Sequence, residues 1–119
     1  MNELATALDQ GLTHLREDCP EYDYTLVAAG RDPEGRPIGL VTRKRSVFLQ
    51  DRVRAHYFEI LVGIMYNAGY TRLMCVILEL NVNVLDGQEP PFMNERDFIN
   101  YGIKYVAKYF NAEISSALS

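Results

Sequence analysis

Tryptophan is absent from this chain, and cysteine and histidine occur only twice each. Cys19 and Cys75 are too few for a disulfide framework and show no CxxC spacing, which excludes a stapled secreted scaffold. His14 and His56 have neither an HxxxH partner nor a paired-carboxylate context, so no metal site is expected. Nucleophile elbow, phosphate-binding loop and GxGxxG turn are all missing, and with them any expected cofactor. The longest unbroken apolar runs, Leu73–Leu78 and Ile60–Tyr66, fall well short of the ~20 residues that span a bilayer. The first ten residues lack the basic start and apolar centre of a secretion signal. Together these absences predict a cytoplasmic protein with no membrane partner.

What is present is ordinary globular material. Apolar residues make up 48% and charged residues 24%, which suits one domain, 1–119, with its own core. The net charge of −4 hides a separation. Up to Asp23, six carboxylates face Arg16 alone; from Arg31 to Arg54, seven cations face Asp32, Glu34 and Asp51. Such a division can create local fields that the total conceals.

Asn2–Asp18 carries Leu4, Leu8, Leu12 and Leu15 on one helical face, interrupted by Gly11, and must end before Pro20. Asp23–Gly30 reads as a strand, rich in aromatic and β-branched residues near its start. Arg31–Arg36 has the chemistry of a tight turn, with aspartate, proline and then glycine. Pro37–Arg45 returns as a second strand, with Pro37 favouring a sheet edge.

Ser46–Tyr70 dominates the pattern. Leu49, Val53, Tyr57, Ile60, Leu61, Ile64, Met65 and Ala68 recur at helical spacing, and Phe58, Val62 and Tyr66 form a second stripe. The segment reads as a central helix capped by Ser46 and closed by Gly69. Thr71–Leu85 follows as a third strand, its first half buried on both faces. Its second half alternates Leu78, Leu80, Val82 and Val84 with Glu79, Asn81 and Asn83. After a loop, Asn94 caps a last helix to about Ile114, with Met93 and Phe98 placed as a hydrophobic staple, Asp97 in a loose capping box and a fraying tail. The expected fold is α/β (α+β), order α-β-β-α-β-α, with a three-stranded, mainly antiparallel sheet and the helices on one face. The first strand should lie between the second and third. A dimer that joins sheets, or a further short strand around Val47–Leu49, would relieve so small a sheet.

Two surfaces stand out as candidate sites. Arg43, Lys44 and Arg45, continued by Arg52 and Arg54, concentrate cations at an expected helix start, where the macrodipole disfavours them. That placement points to an acidic partner or to the chain's own acidic start. On the last helix, Ile99, Ile103, Val106, Phe110 and Ile114 form a core stripe, leaving a second row of Phe98, Tyr101, Tyr105 and Tyr109 bordered by Lys104 and Lys108. Tyrosine suits interfaces because it joins a large apolar area to a polar tip. Self-association is expected through Phe58, Val62, Tyr66, Tyr101, Tyr105 and Tyr109. No catalytic residue emerges. The expected function is a small interaction protein that binds another macromolecule as a homodimer, in an adaptor, chaperone, immunity or phage-type inhibitor role. Its partner would be a protein with an acidic surface. The alternatives are nucleic-acid or nucleotide-phosphate binding through residues 43–54, and an enzyme with an unrecognised site.

Overall fold

The computed structural model describes residues 2–67, 69–92 and 95–117. The elements are α1 (Glu3–Gln10), α2 (Thr13–Asp18), β1 (Asp23–Arg31), β2 (Pro37–Phe48), β3 (Val53–Asn67), β4 (Tyr70–Leu85), α3 (Arg96–Tyr109) and β5 (Glu113–Ser116). They form one five-stranded antiparallel sheet in the order β4-β3-β2-β1-β5.

The expected central helix is therefore two strands. Ser46–Phe48 ends β2, and Val53–Asn67 is β3, paired with β2 on one side and β4 on the other. In β3, Phe58, Ile60, Val62 and Ile64 face one side of the sheet while Leu61 and Ala55 face the other, and all six are buried. A strand covered on both faces loses its alternation, so its apolar residues also satisfy a helical stripe. The β-branched and aromatic content of Val53, Tyr57, Phe58, Ile60, Val62, Ile64 and Tyr66 is what marks a strand. Gly69 does take the left-handed conformation expected of it, at φ 83°, but it turns a β3–β4 hairpin instead of closing a helix.

Three strands thus become five, and the first strand is not between the second and third. β3 occupies the space beside β2, and β4 lies at the sheet edge. Pro37 sits at the first residue of β2, where the β3 ladder has not yet begun, so a proline is tolerated in an inner strand.

Helices cover both faces, not one. On one side α1 packs Ala5 and Leu8, followed by Leu12, against Leu26, Ala29 and Val41. On the other, α3 packs Ile99 and Val106 against Leu40, Phe58, Ile60 and Val62. The N-terminal helix breaks at Gly11, whose missing side chain lets it press against Thr71. There the Gly11 carbonyl accepts from the Thr71 N–H at 3.0 Å, and the Leu8 carbonyl accepts from the Thr71 hydroxyl at 3.1 Å. Gly102 does the same service for α3, which lies close on Leu40.

The turn between β1 and β2 forms as its residues dictate. Asp32 Oδ1 accepts from the N–H groups of Glu34 (3.0 Å) and Arg36 (2.8 Å), and Gly35 takes φ 83°. The last helix is shorter than its apolar stripe implies. It ends at Tyr109, Asn111 takes φ 51°, and Ile114 enters the core from β5. Ser115 and Ser116, expected to fray, pair with Ala29 and Ala28. Phe98 packs on Phe58 at a ring distance of 5.9 Å and so belongs to the core, not to the tyrosine row. The expected cap Asn94 and staple residue Met93 lie outside the described residues; Asp97 does fall in the first turn of α3.

Candidate functional site

The basic run lies where β2 leaves the shelter of the helices. Successive residues of a strand face opposite ways, so Arg43 and Arg45 share the α1 side and Lys44 the α3 side. Register puts Tyr24, Arg43, Glu59 and Glu79 abreast across four strands. Arg43 forms an ion pair with Glu59, with the two side chains only 21% and 13% exposed, and its guanidinium lies 4.4 Å from the centre of the Tyr22 ring. Burial works against the charge on Arg43, but the hydrogen bond and charge of Glu59 outweigh it and hold its pKa above the ordinary value. Burial pushes the Tyr24 phenol up, opposed by a hydrogen bond with Arg43.

Arg45 is held between two rings, 5.2 Å from Tyr22 and 4.6 Å from Tyr57. Lys44 pairs with Glu95 on the other face, and Arg54 pairs with Asp86 at 3.1 Å while lying over Phe48. Of the five candidates, Arg45 and Arg52 make no ion pair within the described residues, and Arg45 is engaged by the two rings alone. The cations that looked available in the sequence are thus mostly neutralised, and by Glu59, Glu95 and Asp86 instead of the acidic start.

Beside Lys44 lies a recess of about 310 Å³ lined by Lys44, Arg45, Ser46, His56, Tyr57, Pro90, Phe92 and Glu95. In it Ser46 Oγ and His56 Nδ1 stand 2.7 Å apart, directly opposite each other on β2 and β3. A serine beside a histidine is the beginning of a nucleophile–base pair. The neighbouring carboxylate, Glu95, is engaged by Lys44, and among the described residues no carboxylate is hydrogen-bonded to His56. The pair is hidden in the sequence, because residues ten apart in the chain come face to face only if the segment is a β-hairpin. Cys75 is half-buried, and burial raises its thiol pKa, which reduces the reactive thiolate. No group of three potential metal ligands occurs among the described residues, and no helix there is long and apolar enough to cross a membrane.

The residues expected to self-associate are divided. Phe58 and Val62 are completely buried beneath α3 and can touch no partner in the folded chain. Tyr66 is exposed at the far end of β3, with Arg36 over its ring and Met74 Sδ 3.5 Å from its hydroxyl. Tyr101, Tyr105 and Tyr109 remain together on α3. Spacing by four places them on one helical face, with ring centres 6.4 and 4.5 Å apart. Tyr101 is 50% and Tyr109 65% exposed, and with Lys104 and Lys108 the three rings line a shallow groove. Neither lysine has an ion pair among the described residues.

No protein-family model matches the chain, and no curated protein or solved structure is detectably similar to it.

Proposed function

We propose that the protein is a small interaction protein that binds another protein through the outer face of α3. The observation that supports this most is the Tyr101–Tyr105–Tyr109 row. The opposite side of α3 already fills the core with Ile99 and Val106, so the helix needs no further apolar surface to stay on the sheet. Tyrosines packed ring against tilted ring bring rigid contact area at low entropic cost, and aromatic anchors carry most of an interface's energy. Lys104 and Lys108 favour an acidic surface, since neither makes an ion pair among the described residues and Lys108 lies only over the Tyr109 ring, 5.4 Å from its centre. Binding of nucleic acid through residues 43–54 would instead require phosphates to displace Glu59, Glu95 and Asp86 from their cations.

A photo-crosslinking amino acid placed at position 101 or 109 tests the proposal in cells or native extract. One discrete adduct is expected from each, competed away by excess unmodified protein. The same label at position 54, beside Asp86, serves as the comparison. Equal labelling from all three positions, or adducts that survive competition, would overturn the reading.

A further inference from the structure

The two ends of the sheet are finished differently. On one side β5 covers β1 over Ala28–Arg31, and beyond it the Ala117 N–H bonds the Val27 carbonyl at 2.9 Å. On the other side β4, 16 residues long, is the last strand. Among the described residues, its backbone bonds outside the ladder occur only at its ends: Thr71 N–H to Gly11 and the Leu85 carbonyl to Gln88. Its first half is interrupted by register shifts opposite Ile60/Leu61 and Val62/Gly63. Its second half is regular, with Leu78–Leu85 matched to Ile60–Val53 without a break.

Proteins ordinarily protect such an edge with lysine, proline, bulges or a covering loop. Leu78–Leu85, LELNVNVL, contains no proline and no cation, and Glu79 is its one charge. Leu78, Leu80, Val82 and Val84 are half-buried on the α3 side, and Glu79, Asn81, Asn83 and Leu85 are exposed on the other. An apolar row left half-covered along an open ladder is a template for another strand of the same alternation.

We propose that the occupant is a second copy of this chain, with the two β4 strands paired antiparallel about a two-fold axis at Asn81. Antiparallel self-pairing keeps each face continuous only in registers that match like-facing residues. Centring on Asn81 extends the pairing over Leu78–Val84 before the register shift intervenes. It sets Leu80 against Val82 and Leu78 against Val84 of the second copy, so the apolar rows join. It also sets each Glu79 carboxylate opposite an Asn83 amide, an acceptor facing a donor, twice by symmetry. Centring on Leu80 shortens the regular run, and centring on Val82 puts Glu79 opposite Leu85. The result is a ten-stranded sheet with both α3 tyrosine rows left free, so the inference stands whether or not α3 is a docking face.

Two variants and a mass measurement test it. The unmodified protein is expected to sediment as a dimer at micromolar concentration. Asn81→Lys places like charges side by side at the axis and should weaken the dimer roughly tenfold, with an unchanged circular dichroism spectrum because Asn81 is exposed. Asn81→Cys, in a Cys19→Ser, Cys75→Ala background, should cross-link to its own copy on mild oxidation, because directly opposed strand residues are within disulfide reach. Asn83→Cys in the same background should not, since it faces Glu79. A monomer at high micromolar concentration, an undiminished dimer in Asn81→Lys, or equal cross-linking from position 83 would overturn the proposal. So would capture of β4 by a strand of a different protein.

Discussion

Two of the groups of cations and aromatic rings on this protein are connected in opposite ways. On the sheet, Arg43 and Arg45 are held by Tyr22, Tyr57 and Glu59. On α3, Lys104 and Lys108 flank three tyrosines with no ion pair among the described residues. The sheet group is the more basic in sequence and the less available in space. Antiparallel register explains this, because it places a residue of one strand beside a residue far away in the chain, and Arg43 meets Glu59 that way. A helix row exposes whatever its core-facing side does not use. Charge density along a chain is therefore a poor guide to charge offered to a partner.

The largest effect that separates the groups comes from Phe58, where a core position competes with an interface position. Its ring is fully buried, packed on Phe92 and Phe98, with Lys44 above it. Phe58→Ala should cost about 3–5 kcal/mol of stability, the range for an aromatic ring removed from a core. A denaturant titration measures it directly. A loss well below 1 kcal/mol would return Phe58 to the surface row.

Arg43 comes next. Removing it leaves the Glu59 carboxylate, 13% exposed, without its cation. Breaking a fully buried pair costs about 3–5 kcal/mol, and partial exposure reduces the expectation for Arg43→Ala to roughly 1–3 kcal/mol. The double variant Arg43→Ala/Glu59→Gln should recover part of that loss, since it removes the stranded charge. Absence of recovery would mean that Arg43 acts through its packing on Tyr22 instead of its charge.

These effects were partly legible in the sequence. The Asp32–Gly35 turn, the strands on either side of it and the alternation of Leu78–Val84 depend on local chemistry, and all appear in place. β3 was not legible, because burial on both faces removes the period-two signal and its unusual length favours a helical reading. That one segment moved everything nearby: Phe58 and Val62 into the core, Ser46 next to His56, and Arg43 next to Glu59. The tyrosine row survived because α3 is a real amphipathic helix, although Phe98 fell on its core side. β5 was hidden because Ile114 continues the helical stripe past Tyr109, and only Asn111, in its left-handed conformation, breaks it.

A smaller effect is expected from the β1–β2 turn, an ion pair of local origin to set beside the long-range Arg43 pair. The Asp32 side chain is 6% exposed. Burial acts to raise its pKa, but backbone and side-chain hydrogen bonds from Arg36 outweigh that and hold it below the ordinary value. A depressed folded pKa gives stability that is present above the unfolded pKa and lost as pH falls through the folded one. Melting temperature should therefore drop on acidification below about pH 4, and Asp32→Asn should flatten that acid limb while leaving the neutral-pH slope unchanged. An equally steep acid limb in the variant would assign the loss to other carboxylates.

The smallest effect on stability, and the largest on association, is expected from Lys104 and Lys108. Both are exposed on α3 and make no ion pair among the described residues, so Lys104→Glu/Lys108→Glu should change stability by no more than about 0.5 kcal/mol. A partner that meets this face with carboxylates is steered by those two charges, so reversal should slow association and reduce its dependence on ionic strength, with little change in residence time. Tyr105→Ala should do the reverse, leaving association nearly intact and speeding dissociation, because a partly buried ring contributes after encounter and not before it. Interface energies shift mainly through dissociation among variants of one complex, so the charge reversal is the unusual case to look for. Stopped-flow association at two salt concentrations, with the crosslinked partner purified, measures both quantities. Equal slowing of association by Tyr105→Ala and by the double reversal would mean that the row and its lysines do not divide the labour in this way.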